Sequence, residues 1–413
     1  MARSRIQSPT VKTVSWVSGG HLLSHFYLLS LPPLFPFLIA EFELRTTQLG
    51  ILISTIYVLM IVLQPPLGSI VDRIGAKFVL VVGLIITGGA VAAAGFATGY
   101  LFLLLCALGI GIGESTYHPA NYPLLDTAAD DDIQGRIFAI HTFAGYIGFA
   151  LAPVLVGGLA VLFDWRIALM SVGAVGVLYG LVVMITLDPI YRRKIRDARN
   201  SAEKQSLKDD LSILTSPRIL TLFVFFIIIG MISTGIQTFT PLYVIEVFDY
   251  AESIGNSTLS VHMLLAAIGV LIGGMLDDRF NSKRVIVVTM VIAATVLAVT
   301  ILDILPRSAI LLITLFGLVG AFYGIILPSR DSLVNLYSPA DATGRAFGIT
   351  STGISIGGVI APALLGVIID TQSISLAFAI ICLCLFVGAL LIAAIDTIHR
   401  LGTTALPAGS PNK

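Results

Sequence analysis

The stretch Gly68–Phe78 reads GSIVDRIGAKF: an apolar run closes on Gly68, the adjacent pair Asp72 and Arg73 follows four residues later, and Gly75 and Lys77 come directly after. A second stretch, Gly273–Arg284, reads GGMLDDRFNSKR and sets Gly274, Asp278 and Arg279 in the same relation, 206 residues further on. A device carried twice at so long a spacing leads us to expect that the chain around it is also built twice.

Composition says where such a chain lives. Of the 413 residues 56% are hydrophobic and 12% charged, with a mean hydropathy of +0.97, against about a quarter charged in soluble domains. Apolar runs of about 20 residues, enough to cross a bilayer, recur twelve times: near 14–40, 47–70, 77–97, 100–122, 135–162, 165–188, 217–247, 253–276, 284–304, 307–330, 343–369 and 373–396. The first 13 residues are polar and basic, but the run after them is too long for a signal-peptide core and contains His21 and His25, so it is read as an uncleaved span.

Lysine and arginine collect on the cytoplasmic side of membrane proteins. Placing the N-terminus inside leaves only Arg45, Arg166 and Arg307, of 24 basic residues, on the outer side. Both termini are therefore expected in the cytoplasm. The formal net charge is zero and nothing points to a nucleic-acid partner. Cys106, Cys382 and Cys384 all fall inside expected spans, which argues against a disulfide framework and against a cysteine-based metal site. No cofactor and no metal are expected.

The one long polar connection, 189–216, splits the spans six and six. A second set of matches supports the repeat: Pro119/Pro328, Gly135/Gly344, Arg136/Arg345, Phe138/Phe347, Gly148/Gly357, Pro153/Pro362 and Gly157/Gly366 all stand 209 residues apart. An even number of spans per half makes the repeats parallel, about an axis along the membrane normal. The expected fold is an all-α membrane protein of twelve transmembrane helices in two six-helix bundles. Its divisions are 1–188, a linker at 189–216, 217–396 and a cytoplasmic tail at 397–413.

GSIVDRIGAK resembles the signature loop of the major facilitator superfamily, and GGMLDDRFNSK its second-half copy. HLLSHFYLLSLPPLFPFL in the first span and YHPANYPLL in the fourth are similar to the fosmidomycin-resistance type of drug exporter. The resemblance implies a secondary transporter in a bacterial-type inner membrane, working by alternating access. It implies proton-coupled export of a small drug-like or amphipathic molecule, or alternatively proton-coupled import of an organic acid or other metabolite. The expected partners are that small molecule, protons and the lipid bilayer, with the monomer as the working unit. Two departures stand out. Gly157 and Gly158 follow Pro153 by four residues where the antiporter motif has three, and no arginine precedes Arg136 in or after the fourth span, where drug exporters often carry one.

Small residues let helices approach closely, so Gly148, Pro153, Gly157, Gly357, Pro362 and Gly366 are read as packing and bending positions. Asp72, Arg73 and Lys77, with Asp278 and Arg279, are expected to latch the cytoplasmic face shut in the outward-open state, Gly68, Gly75 and Gly274 allowing the close turns.

Ionisable groups within the hydrocarbon are functional candidates by default. Most acids fall near span ends, but Glu114 lies deep in the fourth span, about 21 Å from its outer end at about 1.5 Å per residue. It is the leading candidate for taking up and releasing a proton, paired with His118 one turn on, with Tyr117 nearby. His21 and His25 share the same spacing and are further candidates for proton relay or ligand binding. Tyr27, His141, Gln237, His262 and Arg330 complete the candidate pocket, with Arg330 expected to reach toward the interface. There is no P-loop or nucleophile elbow, and GIGIG follows no strand, so an enzyme is not expected.

Overall fold

A computed structural model describes residues 8–128, 133–187, 216–302, 304, 306–339 and 343–405. Arg3, Arg5, Asp303, the expected linker apart from Ser216 and the tail beyond Ala405 lie outside the described residues. The twelve spans are Thr10–Phe42, Thr46–Ile74, Ala76–Ala94, Tyr100–Ala128, Gln134–Leu162, Trp165–Thr186, Pro217–Phe248, Glu252–Asp277, Ser282–Ile301, Ala309–Tyr337, Thr343–Thr371 and Ile374–Arg400. They form two bundles of six.

Three spans run further than their apolar cores. The fourth continues to Ala128 and the tenth to Tyr337. The last helix continues to Ala405, so residues 397–405 of the expected tail are helical. Asp396 holds that end in place. It pairs with Arg218 at 3.1 Å and with Lys283, and it accepts from the Tyr337 hydroxyl at 3.3 Å, tying the cytoplasm-assigned ends of the seventh, ninth, tenth and twelfth spans together. Side chains that satisfy each other let a helix run on past its apolar stretch.

The repeat is visible in the backbone. The first span of each half ends on a non-glycine residue in the left-handed region, Glu43 (φ 51°) and Asp249 (φ 57°), 206 residues apart. Gly75 turns the second span into the third at φ 97°, a conformation that side chains avoid. Within the halves the first span packs on the fifth, the seventh on the eleventh, the third on the sixth and the eighth on the tenth.

The halves meet where the second span crosses the eleventh and the fifth crosses the eighth. Contact between them concentrates at the end remote from the termini. Asp370 accepts from the backbone N–H of Thr46 and Thr47, each at 2.8 Å, and from the Thr47 hydroxyl at 2.5 Å. The Ser54 hydroxyl donates to the Val359 carbonyl at 2.7 Å. Glycines bring the backbones together: a Cβ on Gly50 would lie 2.0 Å from the Pro362 oxygen, and one on Gly157 would lie 2.0 Å from Asn256 Nδ2. At the other end Gly68, Gly135, Gly274, Gly344 and Gly348 face open space. The hydrogen bonds and close glycine contacts that join the halves thus gather at the end opposite the termini.

Candidate functional site

Both spans that carry the deepest polar residues are broken. The first helix ends at Leu28, the Leu29 and Ser30 amides turn back on Phe26 and Tyr27 at 3.2 and 3.1 Å, and the chain resumes as a helix at Phe35. Pro32 and Pro33, lacking N–H groups, sit in that interruption. The fourth span stops at Glu114 and restarts at Tyr117. Its Ser115 and Thr116 hydroxyls donate to the Ile112 and Gly113 carbonyls at 2.6 and 2.7 Å, taking acceptors that a continuous helix would use. Interrupted helices near the membrane midplane are where secondary transporters build their binding groups.

Glu114 sits at this break with 1% of its surface exposed, the one buried acidic side chain among the described residues. The Ser24 hydroxyl donates to its Oε2 at 2.5 Å, while Oε1 is buried with no partner. The turn at Ser115–Thr116 separates Glu114 from His118, and the pairing expected of a continuous helix is not made.

His118 instead joins a cluster. The His21 ring stacks on His141 at 3.9 Å with an 11° interplanar angle, lies 4.3 Å from His25 and 5.7 Å from His118, and His118 lies 5.7 Å from Tyr122. His21 Nδ1 is 2.9 Å from the His141 carbonyl oxygen. A carbonyl only accepts, so Nδ1 carries the hydrogen. Four of the chain's six histidines thus converge from the first, fourth and fifth spans. Sequence spacing linked His21 with His25, but only the packing of three spans added His118 and His141.

The other candidates divide. The Tyr27 hydroxyl donates to the Val172 carbonyl at 2.8 Å and lies against Gly176, so it fastens the first span to the sixth. Tyr117 is buried in the apolar core of the first half. His262 Nδ1 is 2.8 Å from the Phe316 carbonyl, and Gln237 donates to Ser233 Oγ at 3.0 Å, both buried in the second half. Arg330 lies in the body of the tenth helix. The tenth span runs seven residues beyond it, its side chain is 12% exposed, and it pairs with Asp331 at 2.9 Å while lying 4.5 Å from the Phe226 ring.

Residues not singled out from sequence approach one another from the two halves. Tyr146 of the fifth span lies within electrostatic reach of Tyr323, Arg330 and Asp331 of the tenth, Tyr122 within reach of Asp331, and Tyr57 of the second span within reach of Glu114 and Tyr323. Tyrosines amid apolar runs carry no spacing signal that separates a path from a lipid face. Among the described residues Asp72, Arg73, Asp278 and Arg279 are exposed and make no ion pair. Lys77 donates to the Leu187 carbonyl. The neighbouring Asp277 is the member of its motif that is held, accepting from the Ser332 hydroxyl.

Comparison with known proteins fits this architecture. The profile of the Major Facilitator Superfamily matches residues 17–261 and 252–407. The chain is 25% identical over 392 residues to the fosmidomycin resistance protein of Escherichia coli (strain K12), covering 93% of each. It is 24% identical over 413 residues to the membrane sensor protein UhpC of the same organism, covering 95% of this chain and 92% of that one. In three dimensions it is similar to a bacterial homolog of the human lysosomal transporter Spinster in an inward-facing, unoccupied conformation. That likeness has a TM-score of 0.76 at 15% sequence identity and covers 97% of this chain and 100% of the other. Twelve spans in two parallel halves, with the signature loop at the end of the second span and a family match along nearly the whole chain, identify this protein as a member of the Major Facilitator Superfamily, a multi-pass membrane transporter.

Proposed function

We propose that this protein is a proton-coupled exporter of a small drug-like or amphipathic molecule, with Glu114 as the proton carrier. The observation that carries the reading is the buried carboxyl at the break of the fourth span, held through one oxygen by Ser24 and unpartnered at the other. Taking a charged carboxylate out of water costs several kcal/mol. A carboxyl shut from water in one state and wetted in another changes its proton affinity between the states, which is what coupling requires. The similarity to a fosmidomycin resistance protein supports export.

The excess of lysine and arginine supports cytoplasmic termini, in a bacterial-type inner membrane. With that orientation the open end faces the cytoplasm, and the chain stands ready to receive cargo between the tyrosines of the two halves. Asp72, Arg73, Asp278 and Arg279, unpaired here, are the charges that close this end in the outward-open state, and Asp370 closes the opposite end in the present one. Gly157 and Gly366, packed on Asn256 and Thr46 across the two interfaces, are the positions about which the halves rock.

The test is proton movement in energised inside-out vesicles challenged with a panel of drugs and metabolites. Compound-dependent proton release in the wild type, lost in Glu114→Gln, is the expected result. Release that survives Glu114→Gln would move the coupling elsewhere, and proton uptake together with an organic acid would establish the symporter instead.

A further inference from the structure

We propose that His21, His25 and His118 form a binding site for one divalent transition-metal ion of the zinc type, inside the half made by the first six spans. The site goes beyond the transport reading and does not depend on Glu114 carrying the proton.

The geometry converges. One ligand-capable nitrogen from each of the three rings lies within 4.8 Å of the others. Two nitrogens bound to one tetrahedral zinc at about 2.0–2.1 Å stand about 3.3 Å apart, so the rings would draw together by up to about 1.5 Å on binding. His21 is already oriented: its Nδ1–H is committed to the His141 carbonyl at 2.9 Å, which leaves Nε2 as the ligand atom, buried and unpartnered. A metal-binding histidine is typically fixed this way, through the hydrogen on its other nitrogen. His25 Nδ1 and His118 Nδ1 are likewise buried without partners. A cation held among the three rings would take up nitrogen lone pairs that are buried without a partner.

The surroundings fit an ion. Gly145 of the fifth span faces the rings: a Cβ there would lie 2.8 Å from both His21 Cε1 and His25 Nδ1, so the glycine leaves them their room. His25 and His118 are half-buried whereas His21 is buried, so the cluster is not sealed on every side. His141 stacks parallel on His21 and does not aim at the same point. The donor set is all imidazole, since Glu114 does not belong to the group of converging ligand atoms. Imidazole suits zinc, copper and nickel, whereas magnesium and calcium favour oxygen. His262 offers the contrast: it has the same backbone anchor, to Phe316, and belongs to no such cluster.

The experiment uses the full chain, purified in detergent without a histidine tag, titrated with Co²⁺ while its ligand-field absorption is followed, with Zn²⁺, Mg²⁺ and Ca²⁺ as competitors. The expected result is one Co²⁺ per chain, displaced by Zn²⁺ but not by Mg²⁺ or Ca²⁺. His25→Ala and His118→Ala should each weaken binding at least tenfold, and His262→Ala should leave it unchanged. Gly145→Ala removes no ligand yet should also weaken binding by crowding the rings. Size-exclusion chromatography shows that each variant is folded. Absence of saturable binding in folded wild type, or equal binding in wild type and the His25→Ala/His118→Ala double variant, would overturn the site.

Discussion

Where the first span crosses the fifth, a Cβ on Gly148 would lie 2.1 Å from the Leu22 carbonyl oxygen; where the seventh crosses the eleventh, one on Gly357 would lie 2.3 Å from the Ile227 oxygen. The two halves repeat this close crossing, one residue out of register on the partner helix, yet they bury different side chains. At the offsets that relate them, Glu114 corresponds to Tyr323, His118 to Leu327 and His141 to Thr350, while His21 and His25 match Ile227 and Met231. The backbone contacts tolerate only glycine and so persist in both halves. The polar groups are constrained by chemistry rather than by packing, so the buried acid and the histidine cluster can sit in one half. In the reading proposed above, coupling belongs to the first half, and the second supplies the opposing wall of the path.

The sharpest way to break that comparison is to exchange the chemistry. Glu114→Gln should abolish compound-dependent proton release in inside-out vesicles, whereas Tyr323→Phe, at the matching position, should keep proton release and lower the apparent affinity for the compound. Equal loss in both would show that the halves share the coupling.

The glycine crossings should behave alike instead. Gly148→Ala and Gly357→Ala each force a Cβ against a carbonyl, and overpacking of this kind costs about 1–3 kcal/mol. Thermal unfolding in detergent should show a similar loss for both, and a loss confined to one half would deny the structural equivalence.

The closed end should respond less. Asp370→Ala removes three hydrogen bonds between the second and eleventh spans, each worth about 0.5–1.5 kcal/mol net. The population should shift toward the opposite conformation, read as slower thiol labelling of a Ser69→Cys reporter at the exposed, open end. The fifth–eighth interface has no such carboxylate, so Asn256→Ala should shift labelling less.

The smallest effect on stability belongs to Asp72→Asn. The side chain is exposed and unpaired in this state, and changes of that kind fall within about 0.5 kcal/mol. Transport should nevertheless slow, because the latch acts in the other state, and unchanged transport would reduce Asp72 to a topology signal.

Much of the fold was legible in the sequence because a bilayer demands apolar runs of set length and a repeat leaves glycines and prolines at constant offsets. Span ends were less legible. The tenth and twelfth spans continue where Asp396 finds Arg218, Lys283 and Tyr337, partners scattered over three other spans. Glu114 stood out by depth alone, but its partner Ser24 and the loss of its pairing with His118 follow from a helix break that the Gly-rich run did not announce.

The sequence by itself determined the membrane class, the twelve spans, the parallel duplication and the glycines at its crossings, since each of these depends on residues close along the chain or on a fixed offset. Tertiary structure alone decided that four histidines meet, that Asp370 rather than a motif charge joins the halves at one end, and that tyrosines of the two halves lie near one another. Such contacts join residues tens to hundreds of positions apart, and in a chain whose lipid-facing and inward-facing surfaces are both apolar, no periodicity marks which face turns inward.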